Sequence, residues 1–136
     1  MENSNKKNSI FINYFSVLML LVIFYAVQML GLNNLFILIE LIPITAIIIS
    51  FNSAFKKNGL WKLVHTPQKK LDEREIQIVH KAIRISYSIF VIICLALILL
   101  FAVAEGEPID VLMAACLIYL AHTLPAAIIG WTGEEV

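Results

Sequence analysis

The sequence predicts an all-α integral membrane protein: a four-helix bundle of two helical hairpins, with an amphipathic cytoplasmic helix leading into the third span. Three observations predict it. The chain is 60% hydrophobic and only 15% charged, whereas a soluble domain carries about a quarter of its residues charged. The apolar residues gather in long stretches: Glu40 is the only charge in residues 8–55, residues 85–104 carry none, and in 111–133 only His122 can take one. All ten Lys and Arg residues fall in two places. Lys6 and Lys7 precede the first stretch, and Lys56, Lys57, Lys62, Lys69, Lys70, Arg74, Lys81 and Arg84 lie between the second and the third.

A bilayer's hydrocarbon core takes roughly 20 apolar residues as a helix. The first span is expected at about residues 9–30. Its basic start resembles a signal peptide, but the apolar run is about twice the usual length and lacks a small-x-small cleavage site, so it reads as a retained helix. Gly31-Leu32-Asn33-Asn34 then forms a turn from residues that tolerate left-handed backbone. So short a turn makes the second span, about 35–53, an antiparallel neighbour of the first. The third span is expected at about 85–104. Glu105-Gly106-Glu107-Pro108 turns the chain, with Pro108 suited to a helix start, and the fourth span follows at about 109–131. Continuous apolar runs suit helices, which satisfy their own backbone in lipid; a barrel strand would alternate polar and apolar residues. The chain thus reads as a single membrane domain over residues 1–136.

Short loops rich in Lys and Arg stay in the cytoplasm. Four spans put both basic regions on one side and leave only Glu105, Glu107 and Asp110 on the other. The expected location is the inner (plasma) membrane, multi-pass, with both termini cytoplasmic.

The cytoplasmic loop, 54–84, has two parts. In the first, Lys56, Lys57, Trp61, Lys62, Lys69 and Lys70 are candidate contacts to anionic lipid headgroups, with Trp61 at the interface. The alternative is charge that fixes topology and binds nothing in particular. Pro67 ends the apolar-basic piece. In the second part, Ile76, Ile78, Val79, Ala82 and Ile83 share one helical face, and Glu73, Arg74, Gln77, His80, Lys81 and Arg84 share the other. Asp72 and Glu75 fall on the apolar arc, where their spacing forms a capping box at the helix start. Glu73, Arg74, Gln77 and Lys81 remain as a candidate partner surface.

Asp72-Glu73-Arg74-Glu75, followed by Gln77, Lys81-Ala82 and Ser86-Tyr87 at the start of a span, resembles a motif of uncharacterised small four-span prokaryotic membrane proteins. In these, an acidic-Arg-acidic stretch leads into a transmembrane helix. The resemblance covers about 20 residues. It implies a bacterial or archaeal inner-membrane protein and brings no catalytic residues.

Ionisable residues within a span are functional candidates. Glu40 and His122 each stand three residues before a proline, Pro43 and Pro125. Each proline frees the carbonyl four residues back, of Ile39 and Ala121 respectively. Glu40 and His122 are therefore a candidate proton or cation site. Against their meeting, Glu40 is about 9 Å along its helix from Asn34, and His122 about 18 Å from Asp110. The alternatives are an acid near the interface and a neutral histidine hydrogen-bonded between helices. Asn13, Ser16 and Gln28 suit hydrogen bonds between helices. Cys94 and Cys116 read as buried thiols. His65 and His80 lack partners at metal-ligand spacing, and no phosphate loop, nucleophile elbow or metalloprotease motif occurs. No metal or cofactor, no catalysis and no nucleic-acid binding are expected.

Two functions follow; a third, an intramembrane enzyme, lacks a second acid or nucleophile near His122. The first is a non-catalytic accessory or regulatory protein that binds a membrane partner or a second copy of itself. The alternative is a small oligomeric proton- or cation-coupled transporter using Glu40 and His122. Its size resembles that of the small multidrug exporters, whose acid lies in the first helix where this one lies in the second.

Overall fold

The structure, a computed structural model, describes residues 2–31, 37–103 and 110–133. Both predicted outer turns fall largely or wholly outside these residues. The described residues are helical, with no strand among them: α1 (Glu2–Met29), α2 (Ile37–Phe51) with a π-helical continuation (Asn52–Lys56), α3 (Leu60–His65), a short 3-10 turn (Gln68–Lys70), α4 (Glu73–Val103) and α5 (Val111–Thr132). Four stretches are long and apolar enough to cross a membrane: Ser4–Met29, Leu38–Lys56, Glu73–Val103 and Val111–Thr132. These four apolar helices mark the chain as a multi-pass membrane protein by length and composition. The chain divides into two compact units, Met1–Leu60 and Trp61–Val136.

In the first unit α1 packs against α2. On α1, Ile10, Asn13, Val17 and Leu20 are buried, the three- and four-residue spacing of one helical face. Pro43, Ser50, Ala54 and Phe55 are the buried positions along the described part of α2 and its continuation, the first three at the seven- and four-residue spacing of a single face. Polar side chains bridge the two helices. Asn13, fully buried, donates through Nδ2 to Ser50 Oγ at 3.0 Å and to the Ile47 carbonyl at 3.2 Å. The hydroxyls of Ser9 and Ser53 meet at 3.1 Å. Residue 9 pairs with 53 and residue 13 with 50, so the two helices run in opposite directions where they touch.

The second helix runs farther than the sequence indicates. At Ser53, its expected end, the winding widens instead of stopping: the Lys57 N–H reaches back five residues to the Asn52 carbonyl at 2.9 Å. The wider turn brings Ala54 and Phe55 to complete burial. Asn58 then closes the open end, its Nδ2 donating to the carbonyls of Ser53 and Ala54 at 3.0 and 3.1 Å. Gly59 follows at φ +71°, a left-handed conformation that costs an L side chain about 1–2 kcal/mol.

In the second unit α4 packs against α5. The start of α4 is the predicted capping box: the Glu75 N–H donates to Asp72 Oδ1 at 2.7 Å, and the Asp72 N–H to Glu75 Oε2 at 3.0 Å. Asp110 caps α5 likewise, accepting from the Met113 N–H at 2.7 Å. Gly133, at φ +69°, ends α5 with its N–H on the Ile129 carbonyl. The two helices differ in cover: nearly half of the most apolar part of α5 is buried, and almost none of that of α4. Every residue from Thr123 to Ala127 is buried, so Pro125 lies in the enclosed part of α5.

Candidate functional site

The polar end of α4 follows from its sequence period. Ile78, Val79, Ala82 and Ser86 are buried, a stripe with helical spacing. Ile76 is half-buried and Ile83 is 44% exposed, so the apolar arc is wider than the face that is covered. Ile83 follows Ala82 by one residue, about 100° around the helix, and so falls outside the covered stripe. Glu73, Arg74, Gln77, His80, Lys81 and Arg84 are all exposed. Glu73, Gln77, Lys81 and Arg84 succeed one another at spacings of four, four and three, and form one ridge. Arg74 stands at that ridge's edge, about 100° from Glu73.

His80 is tied to the preceding turn. Gln68 Nε2 and His80 Nε2 are 2.7 Å apart. The amide nitrogen can only donate, so His80 Nε2 is the acceptor in this contact. The bond holds the turn bearing Lys69 and Lys70 against the polar face of α4. An open concavity of about 650 Å³ runs along this face, lined by polar residues from Gln77 to Arg84 and by Ile85, Ile89 and Ile92 beyond them.

The other basic positions are divided between the units. Lys56 and Lys57 line a second concavity with Ile49, Asn52 and Ser53. In α3, Trp61 stacks on the His65 ring with centroids 3.9 Å apart, and His65 Nδ1 meets the Trp61 carbonyl at 2.9 Å. Lys62, Lys69 and Lys70 are exposed.

Glu40 and His122 belong to different units. Glu40 is half-buried in the first turn of α2, where a helix N-terminus favours negative charge. His122 lies about 17 Å along α5 from Val111. Its Nδ1 faces the Ile118 carbonyl, one turn back, at 2.9 Å; a carbonyl only accepts, so Nδ1 is the donor. Pro43 and Pro125 both lie inside helices.

Of the three polar residues predicted to link helices from α1, Asn13 does so. Ser16 turns back on its own helix, donating to the Ile12 carbonyl at 2.8 Å, because a serine in a helix reaches the carbonyl one turn behind it. Gln28 is exposed. Sequence reasoning missed two features: the role of Ser50 as the acceptor for Asn13, and the cap made by Asp110, which was legible from its position before an apolar run. Among the described residues no three His, Cys, Asp or Glu side chains are grouped to hold a metal ion. No family model, curated protein or solved structure matches this chain.

Proposed function

We propose that the chain is a non-catalytic accessory or regulatory protein of a prokaryotic inner membrane, with four spans forming two hairpins, both termini cytoplasmic, and a partner docked on the emerging end of α4. One observation carries this reading: the polar and apolar lengths of α4 match a helix that crosses the bilayer and continues beyond it. From Ile85 to Val103 the helix rises about 28 Å, close to the roughly 30 Å of a hydrocarbon core. The preceding part, Glu73 to Arg84, adds about 18 Å and carries an exposed polar face. Asp72 and Glu75 are absorbed by the cap. Glu73 and Arg74, at the far end, are the side chains a partner would read; the partner is another membrane protein or a second copy of this chain. Lys56, Lys57, Trp61, Lys62, Lys69 and Lys70 line the cytoplasmic interface and attract anionic headgroups, each basic residue by about 1 kcal/mol near the surface.

A photo-crosslinking residue at position 77 of the membrane-embedded chain tests this reading in cells. A discrete adduct is expected, reduced at least tenfold by Glu73→Lys with Arg74→Glu. The absence of an adduct, or an adduct indifferent to the charge reversal, overturns it.

The prolines beside Glu40 and His122 favour a second reading, a small oligomeric proton- or cation-coupled transporter. Each proline leaves a carbonyl without its helical donor next to an ionisable side chain, which is the composition of a cation or proton site in a membrane. Proteoliposomes holding a pH-sensitive dye discriminate. A transporter loses at least tenfold of its cation-driven proton flux on Glu40→Gln, while the helical content is unchanged. Equal flux in the variant removes this reading.

A further inference from the structure

The concavity on α4 has an amphiphilic lining whose order along the helix is that of a phospholipid. Gln77, His80, Lys81 and Arg84 line its polar end, and Ile85, Ile89 and Ile92 its apolar end, where Ser88 turns its hydroxyl back onto the Arg84 carbonyl at 3.2 Å. The change of character falls between Arg84 and Ile85, where the charge-free stretch of the sequence begins. Gln77 to Ile92 spans about 22 Å along the helix axis, enough for a headgroup and the upper part of an acyl chain. The Gln68–His80 bond holds the Lys69–Lys70 turn beside the same end, and raises the density of positive charge there. The apolar part is open, with Ile92 66% exposed.

We propose that this face of α4 is a binding site for one anionic glycerophospholipid. Lys81 and Arg84 take the phosphate, and one acyl chain lies along Ile85, Ile89 and Ile92. Arg suits the phosphate because its planar guanidinium donates two parallel hydrogen bonds, while Lys adds a point charge. His80 is a positioning residue: its ring is engaged by Gln68, and it fixes the basic turn rather than the lipid. The site occupies the membrane end of the polar face and leaves Glu73 and Arg74, the far end, to the partner. It rests on the membrane orientation proposed above and is independent of the partner.

Native mass spectrometry of the full chain released from detergent, titrated with dioleoyl phosphatidylglycerol, tests the site. Wild type retains phosphatidylglycerol in preference to phosphatidylcholine of the same chains. Lys81→Gln with Arg84→Gln weakens retention about 25-fold, from about fivefold per cation, whereas Glu73→Lys with Arg74→Glu changes it less than twofold. The charge-preserving pair Lys81→Arg with Arg84→Lys, which keeps the helix surface cationic, retains the lipid. Ile89→Ser with Ile92→Ser weakens the dioleoyl lipid but not a dihexanoyl one. Equal retention by the Lys81/Arg84 glutamine variant overturns the proposal. So does displacement of the lipid by inorganic phosphate alone, which would mark a free-anion site, or protection of the face by a copurified protein in place of lipid. Carbonate extraction of the same variants separates the outcomes: a chain that stays in the membrane without preferring the anionic lipid refutes the site and leaves the membrane reading intact.

Discussion

At the scale of single residues, Asn13 ties the two helices of the first unit together. Its amide is fully buried, and it donates to both a hydroxyl and a carbonyl of the neighbouring helix. Ser50 completes the relay: it accepts from Asn13 and donates to the Ala46 carbonyl at 2.6 Å. In lipid such a bond contributes about 0.6 kcal/mol on average and at most about 1.7 kcal/mol, since the separated helices find other partners. Asn13→Leu is therefore expected to destabilise the α1–α2 pairing by about 1 kcal/mol, read as a lower unfolding midpoint on titration with a denaturing detergent. Ser50→Ala combined with Asn13→Leu should be less than additive, because both remove the same contact. Additive losses would show that the two side chains act independently. Asn13 was legible in the sequence as a polar residue in an apolar run; Ser50 was not, because a helical serine most often satisfies itself on its own carbonyls, and Ser50 does that as well.

At the scale of elements, legibility follows how local the cause is. The start of α4 was readable because a capping box needs only two residues three apart, and both of its bonds are present. The end of the second helix was not, because a π-helical turn breaks the 3.6-residue period from which the boundary is read. Phe55 shows what was lost: in sequence it opens the basic loop, yet it is completely buried. Ile83 errs in the opposite sense, since its periodicity assigns it to an apolar face wider than the part that is covered, and it is 44% exposed. The cap carries an element-scale prediction. Asp72→Ala removes the acceptor for the Glu75 N–H and should cost about 1 kcal/mol. The loss should appear as faster hydrogen exchange confined to the amides of the first turn of α4, with exchange in α5 unchanged. Protection equal to wild type in that turn would mean that packing of Ile78 and Val79, not the cap, fixes where α4 begins.

For the whole molecule, the partition of positive charge and the exposure of apolar side chains lead to the same prediction from different causes. Ten Lys and Arg residues lie before the first span or between the second and third, and the rule for basic loops keeps such segments in the cytoplasm. Independently, large apolar side chains such as Ile49, Ile92, Leu99 and Ile118 are more than 60% exposed, which suits contact with lipid tails rather than water. Together they predict a sidedness that single cysteines can read after Cys94→Ala and Cys116→Ala remove the native thiols. A cysteine replacing Asn58, just past the π-helical turn, should react with a membrane-impermeant maleimide only after the cells are opened. A cysteine replacing Val111, 87% exposed at the start of α5, should react in intact cells. A cysteine replacing Leu95, within the charge-free part of α4, should react in neither until the membrane is dissolved. Labelling of position 58 from outside would reverse the orientation. Ready labelling of position 95 in intact membranes would place α4 in water, and would remove both the bilayer-spanning helix and the lipid face that depends on it.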